Sequence, residues 1–208
     1  MIIYVENQIF EYENRKDNVD KIIQKIYNIV SNNSKVFSYM IIDGIEVYDN
    51  FYEYILDNIN VIEKVEVITQ TYKELVNSVL VSTINYIERI QSRIEELANS
   101  FYKKPSQSSW KDLQDLLDGI TWIMNSFAMI DQDNRLRDLV PSYESWNLYA
   151  MEVFSLKELL SDFEEALLNK DYVSIADILS YELVSIFKGM NVKLLTLVSR
   201  EDGINDIN

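Results

Sequence analysis

The chain has 208 residues, of which 48% are hydrophobic and 25% are charged, and its formal net charge at pH 7 is -15. That charge balance argues against nucleic acid and anionic membranes as partners, because both require a basic surface. There is no cysteine and no histidine. Ser-His-Asp and Cys-His triads are therefore excluded, as are metal sites with those ligands. Carboxylate, lysine or tyrosine chemistry and oxygen-ligated Mg²⁺ or Ca²⁺ remain.

Two further features of the sequence bear on fold class and location. Glycine (4 residues) and proline (2 residues) are scarce, which favours a largely helical protein. The N-terminus lacks the basic and apolar regions of a signal peptide, and no stretch approaches the ~18 apolar residues of a membrane-spanning helix. We therefore expect a soluble cytoplasmic protein.

The chain begins with two short predicted strands, Ile2–Val5 and Ile9–Tyr12. Glu6 and Asn7 between them suit a tight turn, because Asn tolerates the left-handed backbone region. Asp17 is the expected N-cap of the helix that follows, and the apolar spacing carries this helix to about Ser31.

The next segment predicts a hairpin, a short helix and a strand. Lys35–Ile42 and Ile45–Tyr48 are rich in β-branched and aromatic residues, and Asp43-Gly44 between them suits a type I′ turn. Phe51–Asn58 is the expected short helix, and Ile62–Ile68 is the last predicted strand.

The resulting order is strand, strand, helix, strand, strand, short helix, strand. This order is similar to that of the ubiquitin-like β-grasp arrangement, in which a mixed sheet wraps one helix. The resemblance lies in the order and length of the elements, and no residue motif supports it. An unrelated small α+β sheet is the alternative.

A long helix is predicted from Thr71 to Lys104. Thr71 and Glu74 have the spacing of a capping box, and Pro105 ends the helical pattern. The apolar or small side chains recur every three or four residues, which places them on one helix face. This stripe comprises Thr83, Ile87, Ile90, Ile94, Leu97 and Phe101. So long a helix requires other long helices packed along it.

Three more amphipathic helices are expected after Pro105. The first is capped by Ser108 or Ser109 and ends near Ile130. The second begins at Pro141, with a break near Ser155 as the alternative to one continuous helix.

The last helix runs from about Ile175 to Leu197, with a kink or stop expected at Gly189. No single helix can bury its own stripe, so the sequence predicts an antiparallel four-helix bundle. The predicted fold class is α+β: residues 1–69 form a small sheet domain, 70–200 form the bundle, and 201–208 form a frayed polar tail.

Three aspartates are the candidate metal ligands. Asp112, Asp115 and Asp118 recur at every third position, so they lie toward one side of a helix and could hold Mg²⁺ or Ca²⁺ through oxygen ligands. The favoured interpretation is a solvated helix face, with Asp112 close enough to the helix start to benefit from the helix dipole.

Glu182 is the candidate buried carboxylate. Its spacing from Ile175, Leu179 and Ile186 places it near the apolar face of the last helix. A buried carboxylate needs a partner or a raised pKa. A structural ion pair or a half-exposed edge position is favoured over a catalytic acid.

Four tyrosines near the predicted hairpin are the candidate interaction residues: Tyr39, Tyr48, Tyr52 and Tyr54. Tyrosine provides a large contact area at low entropic cost and is enriched in interfaces. Simple packing on the sheet is the alternative explanation for this group.

The sequence therefore favours a non-enzymatic protein that binds other proteins in a regulatory or assembly role. We expect no catalytic residues and no cofactor, and a protein partner with a basic patch, since the chain is strongly acidic. Self-association is an alternative to a separate partner. The rival class is a carboxylate-based protein or enzyme that depends on a divalent metal ion.

Overall fold

A computed structural model describes residues 1–198. The predicted frayed tail, residues 201–208, lies outside the described residues. Backbone contacts divide the chain into two compact units, Met1–Leu75 and Val76–Asn208. Each unit is described separately, and the division at residue 69 expected from the sequence remains a prediction.

The first unit combines a mixed sheet with two helices. The strands are β1 Ile2–Val5, β2 Gln8–Glu11, β3 Lys35–Ile42, β4 Ile45–Val47 and β5 Lys64–Thr71, and the helices are α1 Val19–Asn32 and α2 Phe51–Asn58. The strands lie in the order β2-β1-β5-β3-β4. β1 is parallel to β5, whereas the pairs β1–β2, β3–β4 and β3–β5 are antiparallel. The mixed α and β character expected from the sequence is confirmed.

Both predicted tight turns are present. Asp43 and Gly44 have φ angles of 48° and 86°, and the flanking residues Ile42 and Ile45 pair directly across the hairpin. Two positive φ angles in succession are what a type I′ turn requires. In the turn between β1 and β2 the positive φ of 52° belongs to Glu6, rather than to Asn7 as expected.

The core of the first unit follows from the alternation of side chains along the strands. Ile3, Val5, Met40, Ile42, Val65 and Val67 are all buried, and they belong to one cluster with Ile22 and Ile26 of α1. We call the side of the sheet that carries these residues the inner face. Burying a side chain of this size contributes about 1.5–3 kcal/mol, so the inner face and α1 stabilise each other.

The start of α1 differs from the prediction. Asp17 does not cap this helix; it lies in a short 3-10 turn, Lys16–Asn18, that precedes α1. Its carboxylate instead binds the guanidinium of Arg15 at 3.0 Å. Because α1 begins at Val19, the N-cap position falls on Asn18, whose side chain makes no capping hydrogen bond.

The second unit is helical. Its helices are α3 Tyr72–Lys103, α4 Gln107–Asp131, α5 Leu136–Leu139, α6 Tyr143–Asn169, α7 Tyr172–Asp177 and α8 Val184–Leu194, with a π-helix at Ile178–Leu183 between α7 and α8. The first turn of α3 belongs to the first unit, and α3 follows β5 without an intervening residue. Within residues 1–198, no helix combines the length and apolar character needed to cross a membrane.

The long helix α3 agrees closely with its prediction. The Glu74 carboxylate accepts a hydrogen bond from the Thr71 amide at 2.6 Å, and the Glu74 amide donates to the Thr71 hydroxyl at 3.2 Å. This is the reciprocal pattern of a capping box. Of the predicted stripe, only Ile90 is half-buried. The buried members are Thr83, Ile87, Ile94, Leu97 and Phe101.

Several helix boundaries need correction. Ser106, rather than Ser108 or Ser109, is the N-cap of α4; its hydroxyl accepts from the Ser109 amide in a second capping box. The helix predicted to start at Pro141 begins at Tyr143 and runs through Ser155 without a break. The short helix α5 was not predicted.

The last predicted helix is interrupted earlier than expected. Gly189 lies inside α8, which continues to Leu194, so the helix does not stop at this glycine. The irregular segment is the π-helix at Ile178–Leu183. A π turn contains more residues than an α turn, so every side chain beyond it points in a different direction from the one a regular α-helix would give.

Aromatic side chains join α4 and α6 inside the second unit. The rings of Phe127 and Trp146 stack with centroids 5.3 Å apart, and Tyr149 meets Phe127 edge-on at 5.7 Å. The Trp146 indole N–H donates to Asp131 at 2.8 Å. Burial raises the pKa of Tyr149, so this phenol remains neutral and packs as an apolar ring.

Candidate protein interface

The side of the sheet opposite the inner face carries a partly exposed apolar surface, which we call the open face. Alternation along the strands places Tyr4, Ile41 and Ile68 on this side. The register also brings Ile9 directly opposite Tyr4, and Tyr39 directly opposite Ile68. Ile9 is 67% exposed, whereas the other four side chains are half-buried.

A stacked pair of tyrosines extends the open face toward β4. The rings of Tyr39 and Tyr48 lie 4.9 Å apart at an interplanar angle of 27°. Tyr48 is 64% exposed, and its hydroxyl donates to Glu46 at 2.5 Å. This hydrogen bond to a carboxylate raises the pKa of Tyr48. The pair therefore presents an aromatic surface to solvent, mainly through Tyr48.

The polar groups of the open face are mainly acidic. Glu66 lies between Tyr4 and Ile41 in the sheet register. Lys64 pairs with Glu66 at 2.8 Å and lies 5.2 Å from the centre of the Tyr4 ring. The hydrogen bond and ion pair with Glu66 raise the pKa of Lys64. The apolar surface is thus bordered by a local ion pair and by carboxylates.

The other two predicted interaction residues lie on α2, away from the stacked pair. Tyr52 is 40% exposed, and its hydroxyl is hydrogen-bonded to Asp20, which raises the pKa of Tyr52. Tyr54 is half-buried and packs against the core cluster of the first unit. The structure therefore divides the four predicted tyrosines into a sheet pair and two separate helix positions.

The three candidate metal ligands lie on the surface of α4. Asp112, Asp115 and Asp118 are all exposed, and Asp118 accepts a hydrogen bond from Gln114 at 2.8 Å. Asp112 and Asp115 line a groove between α3 and α4 together with Arg93. Within residues 1–198, no three acidic side chains are grouped closely enough to hold a metal ion.

Glu182, the candidate buried carboxylate, does not have the expected burial. Glu182 is exposed and lines a groove beside α6. The π-helix is the physical reason, because Glu182 lies within it and the spacing argument assumed a regular α-helix. The register change also makes Phe187, rather than Ile186, the fully buried side chain of α8.

Sequence reasoning missed part of the open face. The sequence places Ile9, Ile41 and Ile68 in predicted strands, but it does not indicate that they share one surface. Their alternation with buried neighbours was readable in the sequence. The register that places Ile9 beside Tyr4, and Tyr39 beside Ile68, was not readable, because it depends on which strands pair.

Taken together, the fold and surface define an acidic two-unit α+β protein with an apolar, tyrosine-bearing sheet face. The chain belongs to the family described as a domain of unknown function (DUF8042), whose model matches residues 78–193, more than half of the sequence. The match lies within the helical unit. Neither the curated proteins nor the solved structures contain a match to this chain.

Proposed function

We propose that the protein is a non-catalytic protein-binding module and that the open face of its sheet contacts the partner. The observation that carries this proposal is the stacked, solvent-facing pair of Tyr39 and Tyr48 on the same face as the exposed Ile9. Exposed apolar surface of this kind is typical of binding sites. Tyrosine adds contact area together with a hydroxyl that tolerates water.

The acidic charge of the chain supports a partner that carries a basic patch. The net charge is -15, and Glu46 and Glu66 lie among the apolar groups of the open face. A basic patch on the partner would speed association and determine its orientation. The apolar contacts would provide most of the affinity. We place this binding in the cytoplasm on the basis of the sequence alone.

The proposal extends to the finer description of both units. The strand order β2-β1-β5-β3-β4 with α1 on the inner face supports a β-grasp-like first unit. Side-chain contacts support an antiparallel four-helix arrangement in the second: α3 meets α4 where Tyr86 approaches Leu116, and α6 meets α8 where Glu152 approaches Gly189. The α7, π-helix and α8 segments together would form the fourth helix.

The metal-dependent alternative has no comparable support. Its candidate ligands Asp112, Asp115 and Asp118 are solvated, and Asp118 is already hydrogen-bonded within its own helix. The open face consists of side chains of the chain itself, so binding there requires no metal ion.

Photocrosslinking in the native host cells tests the proposal. Tyr48 is replaced by the photoreactive analogue benzoylphenylalanine, which preserves an aromatic ring at this position. The matched control carries the same replacement at Tyr143, an exposed tyrosine (43%) of the helical unit. We expect discrete crosslinked partner bands from position 48 that are absent from position 143.

Two results would count against the open face. Identical crosslinking at both positions would show only non-specific contact. A crosslink between two copies of the chain at position 48 would replace the separate partner with self-association.

A further inference from the structure

One edge of the sheet remains open along β3. This strand has eight residues, but β4 pairs only with Met40, Ile41 and Ile42. Over Lys35–Tyr39, β3 is hydrogen-bonded to β5 on one side. On the other side, none of residues 1–198 provides a backbone partner. Open N–H and C=O groups of this kind are a template for a further strand.

An aromatic groove lies directly beside this open edge, with a volume of about 220 Å³. Its walls come from α1, β3 and the first turn of α2 and include Ile26, Tyr27, Phe37 and Phe51. The Phe37 ring lies 4.6 Å from the Phe51 ring and 6.2 Å from the Tyr27 ring. The groove can accept one large apolar side chain, which would come from a strand lying along the edge.

The rim of the groove is acidic. Glu53 lines it, and Tyr52 on the same wall is hydrogen-bonded to Asp20. Lys35, the first residue of β3, forms an ion pair with Glu6 at 3.3 Å. A cationic side chain next to the apolar anchor would therefore find unopposed negative charge at this rim.

A second copy of this chain suits the edge poorly. The register between β3 and β5 shifts between Phe37 and Tyr39, which marks a β-bulge at Ser38. Bulges disfavour the long, regular pairing of one edge with an identical edge. Two copies would also bring two acidic rims together, and like charges repel.

We propose that the open edge of β3 binds an extended segment of a partner protein, which adds as a strand along Lys35–Tyr39. A large apolar side chain of that segment enters the aromatic groove, and an adjacent Lys or Arg pairs with Glu53. This inference rests on the protein-binding function proposed above, but it uses a different surface, since the groove is lined by the inner-face residue Met40.

Peptide selection on the immobilised full chain tests the inference, with a phage-displayed library of short random peptides as the probe. We expect the enriched peptides to combine β-forming residues with one large apolar residue beside Lys or Arg. Their binding should protect the amides of Lys35–Tyr39 from hydrogen exchange. N-methylation of alternate peptide amides should abolish binding, because it removes the donors that strand addition requires.

Charge reversal provides the matched comparison. Glu53→Lys should weaken the selected peptides about tenfold or more, equivalent to about 1.4 kcal/mol, and should strengthen variants in which Glu replaces the cationic residue. Glu11→Lys makes the same charge change at an exposed position of β2, on the opposite edge of the sheet. It should leave the peptide affinity unchanged.

Four outcomes would overturn the inference. Selection could enrich no peptide, or N-methylated peptides could bind as well as their parents. If Ile9→Glu weakens peptide binding and Glu53→Lys does not, the peptides bind the open face. That result would support the proposed function and contradict the edge site. Dimerisation of the free chain with protection of Lys35–Tyr39 would assign the edge to a second copy.

Discussion

Gly119 of α4 lies where the side chain of Tyr86 crosses from α3. A Cβ atom added at Gly119 would lie 1.9 Å from the Tyr86 hydroxyl oxygen, 2.2 Å from Cζ and 2.7 Å from Cε2. The substitution Gly119→Ala therefore forces α3 and α4 apart or displaces the Tyr86 ring. We predict that this substitution destabilises the helical unit.

The expected magnitude follows from two opposing effects. Ordinary contact begins near 3.4 Å, so the hydroxyl must move by roughly 1.5 Å. Overpacking of this kind costs about 1–3 kcal/mol, and so short a contact places the cost at the upper end. Alanine regains about 1 kcal/mol through its better helix propensity. The net loss is about 2 kcal/mol, or roughly 4–8 °C in melting temperature.

Gly189→Ala in α8 is the matched control. Its added Cβ would meet the carboxylate of Glu152 at 2.6–2.7 Å. This carboxylate is the end of a flexible side chain and can rotate away, whereas the Tyr86 ring is bulky and half-buried. We therefore expect Gly189→Ala to leave stability unchanged or to raise it by up to about 1 kcal/mol.

Urea unfolding followed by circular dichroism measures both variants. In a Tyr86→Ala background, Gly119→Ala should lose its penalty, because the clashing ring is gone; this double-mutant cycle isolates the contact. If Gly119→Ala is as stable as the parent, or if its penalty persists without the ring, the proposed close approach of the two helices is wrong.

Three further predictions concern the helical unit. Leu97→Asp should cost about 3–5 kcal/mol because it buries an unpaired charge, while Ile90→Asp should cost clearly less because Ile90 is only half-buried; equal melting temperatures would contradict this difference. Ser106→Ala should cost about 1 kcal/mol through loss of the α4 cap, and Ser106→Gly only a few tenths, as measured by urea unfolding. The hydrogen bond from Arg135 lowers the pKa of Asp133 to about 2. The stability that this interaction adds to the fold is therefore complete above the unfolded-state pKa of Asp, about 4, and is lost as pH falls through 2. Carboxyl carbon NMR should show this low titration, and Arg135→Gln should return it toward the ordinary value.

Local signals allowed much of the fold to be predicted. The Asp43-Gly44 turn was predictable because few sequences accept two successive positive φ angles. The start of α3 was predictable because Thr71 and Glu74 satisfy each other's backbone amides, which requires only local geometry.

Other features depend on distant parts of the chain. The exposure of Glu182 could not be read from apolar spacing, since the π-helix shifts the side chains and has no clear local signature. Gly189 predicts a kink or stop by composition alone, whereas α8 continues through it to Leu194. The open face required the strand register, and the open edge of β3 required the observation that β4 is much shorter than its neighbour.

The affinity of a purified, crosslink-identified partner for open-face variants tests the central claim most directly. The variants are Ile9→Glu and Tyr48→Glu, which place charge at positions that are 67% and 64% exposed and should therefore remain folded. Titration calorimetry should show binding weakened at least about tenfold in both, with unchanged affinity for the exposed-position control Leu168→Glu in α6. Unchanged affinity in both open-face variants would contradict the claim that this face binds the partner.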